Sequence, residues 1–82
     1  MRYAIQFRPR AWRDMKNLSP EVSRRIEAKI ETLADGLSGD VKRLVDYSPG
    51  WRLRVGDWRV LFELLGDSIV IHRVVHRSQA YR

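Results

Sequence analysis

Residues 51–75 read WRLRVGDWRVLFELLGDSIVIHRVV. They split into three runs of β-branched, aromatic and aliphatic residues, Trp51–Val55, Trp58–Leu65 and Ser68–Val75, separated by Gly56-Asp57 and Gly66-Asp67. A Gly-Asp pair between alternating runs is a two-residue hairpin signal. With no room for a crossover helix, the three strands must run as an antiparallel meander.

Closing the first turn over two residues sets the register. Val55 then faces Trp58, Arg54 faces Arg59 and Leu53 faces Val60. Side chains alternate along a strand, so Arg52 shares a face with Arg54 and Arg59, while Leu53, Val55, Trp58, Val60, Phe62 and Leu64 share the other. Like charges directly opposed weaken a pair by a few tenths to ~1 kcal/mol. The only acid of the second strand, Glu63, lies four residues from Arg59 on the same face, so no carboxylate is expected between the arginines. Such a row is expected to bind an anion; the bland alternative is a solvated, splayed face.

Outward from this hairpin, Arg2–Phe7 alternates with Tyr3, Ile5 and Phe7 on one side and reads as a first strand. Pro9 suits a first helical turn, and Ala11, Trp12, Met15 and Leu18 recur at helical spacing over Arg10–Leu18. Ser19-Pro20-Glu21 is a second helix start, with an N-cap, a proline at the first position and an acid at the positive end of the dipole. Val22, Ile26, Ile30, Leu33 and Leu37 form one apolar stripe, with an expected helix end at Gly36. Val41–Val45 has the pattern of a short strand, and Asp46–Gly50 is turn chemistry. The expected fold is a small α+β single domain over residues 1–82, β-α-α-β-β-β: an antiparallel sheet with an α-helical hairpin on one face and the arginines on the other.

Composition narrows the function. The chain has 82 residues, no cysteine and a net charge of +6. A disulfide framework and a thiolate metal site are excluded, and no His/Asp/Glu spacing or glycine-rich phosphate loop suggests a metal or cofactor. The apolar runs are strand-length and no secretory signal is read at the start, so a cytoplasmic, non-membrane protein is expected. All basic residues except Lys16, Lys29 and Lys42 are arginine, whose planar fork fits phosphate oxygens bidentately. Such a field suits RNA, DNA or an acidic protein. Arg73, His76, Arg77, Tyr81 and Arg82 crowd the last ten residues. Arginine stays protonated, so His76 and Tyr81 are the side chains there suited to move protons. His72, inside a strand pattern, reads as a packed or half-exposed residue rather than a catalyst. The three tryptophans read as core or interface aromatics.

Leu44, then Trp51-Arg52-Leu53-Arg54-Val55-Gly56-Asp57-Trp58-Arg59-Val60-Leu61-Phe62-Glu63, and finally Val75-His76-Arg77 with Tyr81-Arg82, resemble the RelE/ParE toxin superfamily of type II toxin–antitoxin modules. The resemblance covers nearly the whole chain. It implies a ribosome-dependent endoribonuclease (an mRNA interferase) that cleaves mRNA in the A site without metal or cofactor. By position it assigns Arg52, Arg54, Arg59 and Arg77 to charge neutralisation and Tyr81 to the substrate base, with His76 or Tyr81 shuttling the proton. It further implies a cognate acidic antitoxin, through which the complex would bind operator DNA; the exposed helix residues Trp12 and Met15 are its expected contacts. Little chain follows Tyr81, so the family's C-terminal helix is expected to be short or missing and Tyr81 mobile until RNA, the ribosome or an antitoxin orders it. The alternative within the superfamily is a ParE-like, non-nucleolytic inhibitor of DNA gyrase.

Overall fold

The computed structural model describes residues 1–81. Arg82, part of the C-terminal cluster, lies outside the described residues. The elements are β1 (Ala4–Phe7), α1 (Pro9–Lys16), α2 (Pro20–Leu33), β2 (Val41–Arg43), β3 (Trp51–Val55), β4 (Trp58–Leu65) and β5 (Ser68–His76). Pro9 and Pro20 open the two helices, and Val22 N–H donates to the Ser19 hydroxyl at 3.3 Å, the expected N-cap. The second helix ends earlier than its apolar stripe suggests. It stops at Leu33, and Gly36 and Leu37 turn the chain with φ of +69° and +62°.

The five strands form one sheet in the order β1-β5-β4-β3-β2. Strands β2 to β5 are the antiparallel meander, and Val41–Arg43 supplies a real edge strand. The other edge departs from an all-antiparallel sheet: β1 joins β5 in parallel, Ala4 opposite Ser68 through Phe7 opposite Ile71. The chain gets from one sheet edge to the other by carrying both helices across a single face. Beyond Phe7, where β1 stops, Asp14 of α1 takes over. Its carboxylate accepts from Val74 N–H at 2.9 Å and Arg73 Nε at 2.8 Å, satisfying a strand edge that would otherwise be orphaned.

The core lies between helices and sheet. Ala11, Met15, Ile26, Ile30 and Leu33 pack on Leu53, Val55, Val60, Phe62, Ile69, Ile71 and Val74. Phe62 is the largest fully buried side chain and stacks on Trp51 at 6.1 Å. Met15, expected to be exposed, is buried here. Among the described residues no helix is long and apolar enough to cross a membrane.

One irregularity sets the orientation of the last strand's end. Leu61 pairs with Arg73 but Phe62 pairs with Ile71, so His72 is an extra residue in β5. Strict alternation from Ile69 and Ile71 would turn Arg73 and Val75 towards the helices and His76 away from them. The bulge inverts this: Val74 enters the core, Val75 turns to the opposite face, and His76 lies on the helix side.

Candidate functional site

The β3–β4 hairpin has the expected register, with Arg54 opposite Arg59, Leu53 opposite Val60 and Val55 opposite Trp58. Gly56 adopts φ +58° at the first loop position, where a two-residue hairpin needs glycine. Lys42 pairs with Arg52 and Arg52 with Leu61, so these three share the face away from the helices. Arg52, Arg54, Arg59 and Tyr81 line one cleft of about 560 Å³, together with Lys42 and Tyr47. That volume is in the range of small-ligand sites.

The opposed arginines are managed by a carboxylate that local sequence did not reveal. Asp40, in the loop before β2, accepts from Arg52 Nη1 at 3.1 Å through Oδ1 and from Arg54 Nε at 2.8 Å through Oδ2. The hydrogen bond from Arg52, reinforced by the charge of Arg54 and opposed by partial desolvation, holds the Asp40 carboxyl below the usual aspartate value. Arg52 also donates to the Asp40 carbonyl at 2.8 Å, and its side chain is only 15% exposed. Arg54 keeps 56% of its side chain exposed. Arg59 is oriented differently: its Nη1 donates to the Gly56 and Trp58 carbonyls at 2.9 and 3.0 Å. Among the described residues no carboxylate lies within ion-pair distance of it, so its charge remains available to an outside anion.

The sheet face under the cleft is not bare. Leu61, Val75 and Ala80 form a second small cluster, with Leu44 and Tyr47 packed against it. Ala80 thereby anchors the tail, and Tyr81 meets Tyr47 edge-on at 5.5 Å. Tyr81 is thus placed at the cleft by packing on Tyr47, within a turn over residues 77–81.

Two expected members lie elsewhere. His76 does not reach the arginine cleft: it packs edge-on against Trp58 at 5.4 Å on the helix side, and its Nδ1 bonds to the Ser78 hydroxyl. The β5 bulge is the cause. Arg77 sits at the tip of the hairpin, its N–H on the Asp57 carbonyl, in a neighbouring cleft that shares Arg54 and Arg59 with the first. His72, read as packed or half-exposed, is half-buried and bonded to Glu63 at 2.7 Å. Lys42 and Tyr47 were missed. Pairing β2 with β3 in the sequence would have put Lys42 beside Arg52; nothing local marks Tyr47. Of the expected partner contacts, Trp12 is 52% exposed, with Lys16 over its ring.

A five-stranded sheet covered on one face by two helices is a RelE-like architecture. The profile of the ParE toxin of type II toxin–antitoxin systems (parDE) matches residues 5–81, and the chain belongs to that family, within the RelE/ParE toxin superfamily. It is 32% identical over 74 residues to the toxin RelE3 of Methanocaldococcus jannaschii, covering 84% of each chain. Its fold matches a chain of the crystallised RelB-RelE antitoxin-toxin complex from Methanococcus jannaschii with a TM-score of 0.76 and 30% identity, over 93% of this chain and 94% of that one. It also matches a chain of the toxin-antitoxin complex RelBE2 from Mycobacterium tuberculosis, with a TM-score of 0.78 and 26% identity, over 94% and 100%.

Proposed function

We propose that this toxin is a ribosome-dependent endoribonuclease acting in the cytoplasm on mRNA in the ribosomal A site, and that an acidic RelB-type antitoxin neutralises it. The observation that carries the reading is the cleft in which Arg52, Arg54, Arg59 and Tyr81 meet on one sheet face. It offers guanidinium donors for a phosphate beside aromatic edges for a base, the two recognition elements of single-stranded RNA.

In this reading the ribose 2′-hydroxyl attacks the adjacent phosphorus, and its proton passes to a base. The P–O5′ bond breaks, and O5′ takes a proton to leave as a 5′-hydroxyl end. Arg59, oriented by two backbone carbonyls, and Arg54 neutralise the charge that builds on the phosphorane. Preorganised donors of this kind are commonly the largest catalytic contribution. Arg52, committed to Asp40, holds the geometry. Arg77, at the hairpin tip, adds positive charge from the bordering cleft. Tyr81 orients the substrate base and, with His76 on the other face, is the proton carrier of the expected set that lines the cleft.

The antitoxin partnership draws on the exposed Trp12 and the positive field: an acidic amphipathic segment would dock with a salt-sensitive encounter. Operator binding would then pass through the antitoxin. The match to a ParE profile favours gyrase as the second target class. Induction of the toxin followed by primer extension separates the two. New 5′ ends inside codons on translating messages are expected; intact messages with DNA damage would overturn the ribonuclease reading in favour of gyrase.

A further inference from the structure

The cleft next to the arginine cradle is formed by a different set of elements. About 570 Å³ in volume, it lies over the β3–β4 turn and is lined by Arg25 and Lys29 of α2 as well as Arg54, Arg59 and Arg77. Arg25 and Lys29 are one helical turn apart, exposed and on the same side of the helix. Among the described residues neither has a carboxylate within ion-pair distance. The Arg25 guanidinium lies directly over the turn: a Cβ added to Gly56 would come within 2.8 Å of its Nη2. Two acids, Asp40 and Asp57, also border the cleft. Asp40 is already taken by Arg52 and Arg54, and Asp57 stands 4.0 Å from Arg77. The uncompensated charge is therefore that of Arg25, Lys29 and Arg59.

We infer that this cleft is a phosphodiester subsite: a single-stranded RNA leaves the cradle at Arg54 and Arg59, crosses the hairpin turn, and sets its flanking phosphates on Arg25 and Lys29 of α2. The inference rests on the ribonucleic-acid reading of the cradle and extends its ligand beyond the scissile linkage. Continuity is what supports it. Arg54 and Arg59 border both clefts, so one strand passes from the sheet face to the helix with the unpaired Arg59 as the link between them. RNA is favoured over an acidic protein segment because this second cleft is lined by charged residues with Val55 and Gly56 between them, and among the described residues it offers no large apolar side chain to anchor a peptide.

The test is anisotropy of the full chain with labelled 2′-O-methyl oligonucleotides, which lack the attacking hydroxyl and report binding alone. A trinucleotide fills the cradle only; a dodecamer also reaches α2. The wild type is expected to bind the dodecamer more tightly and with a steeper salt dependence. The double substitution Arg25→Gln and Lys29→Gln is expected to lower that slope by about 1.4, at ~0.7 per phosphate on single strands, and to leave the trinucleotide unchanged. Both positions are exposed, so an unaltered circular dichroism melt is expected with it. An unchanged dodecamer slope, an equal loss with the trinucleotide, or a loss confined to antitoxin binding would each overturn the track. Should the slope fall as expected while messages stay uncut in induced cells, the ribonuclease reading fails and the RNA track stands. Cut messages with an unchanged slope give the converse.

Discussion

Arg54 and Arg59 stand opposite one another across the β3–β4 hairpin, yet each is held by a different acceptor: Arg54 by the Asp40 carboxylate and Arg59 by the carbonyls of Gly56 and Trp58. Separate anchoring points the two guanidinium groups in fixed directions despite their repulsion. One is partly neutralised and the other keeps its full charge. That asymmetry makes Arg59 the group most able to meet a developing negative charge.

Arg59→Ala is accordingly expected to lower mRNA cleavage by about 10²–10³-fold, the loss typical of removing one preorganised donor. Thermal stability should hold or rise slightly, because an opposed like charge is gone. Arg77→Ala, from the bordering cleft, is also expected to abolish toxicity with antitoxin binding retained. Growth arrest assays on both variants, with co-purification of the antitoxin, check this; wild-type toxicity in both would remove the cluster as the site.

His76→Ala is expected to cleave within about threefold of the wild type, with a pH–rate profile of unchanged shape. Its imidazole packs on Trp58 on the far side of the sheet. The cost should appear in stability instead, at ~0.5–1.5 kcal/mol for an edge-on ring contact, read by urea denaturation.

The pH dependence of Asp40 has a definite sign. Its folded-state pKa lies below the unfolded value because of Arg52, so the unfolded chain binds more protons in the window between the two. The clamp's stabilisation is fully present above the unfolded value of about 3.9 and is lost as pH falls through the folded one. Melting temperatures of wild type and Asp40→Asn should differ at neutral pH and converge in acid below both values. A constant difference across that range would show that the clamp does not carry it.

Tyr47→Ala is expected to free Tyr81 and reduce turnover by about tenfold, whereas Tyr47→Phe, which preserves the ring contact, should retain activity. An edge-to-face contact of ~0.5–1.5 kcal/mol corresponds to roughly this factor. Single-turnover cleavage rates with the two variants distinguish positioning of Tyr81 from general destabilisation.

The meander, the hairpin register and the row of Arg52, Arg54 and Arg59 were legible in the residue order alone. These depend on alternation and on a two-residue turn, both local to residues 51–65. The helix starts at Pro9 and Pro20 were legible for the same reason, as was the apolar stripe of Ile26, Ile30 and Leu33; Met15, expected to be exposed, was not, because its burial depends on where α1 meets the sheet.

Tertiary structure decided three things. It placed β1 in parallel beside β5, a pairing between segments some sixty residues apart that no local pattern encodes. It brought Asp40 and Tyr47, from loops on either side of β2, onto the arginine face, because loop side chains follow the strand they border rather than a periodicity of their own. And it inserted His72 as an extra residue in β5, which moved His76 away from the cleft. A single residue of slip reverses every later side chain of a strand, and whether it occurs depends on which neighbours need filling: here the core took Val74, and the second cluster took Val75.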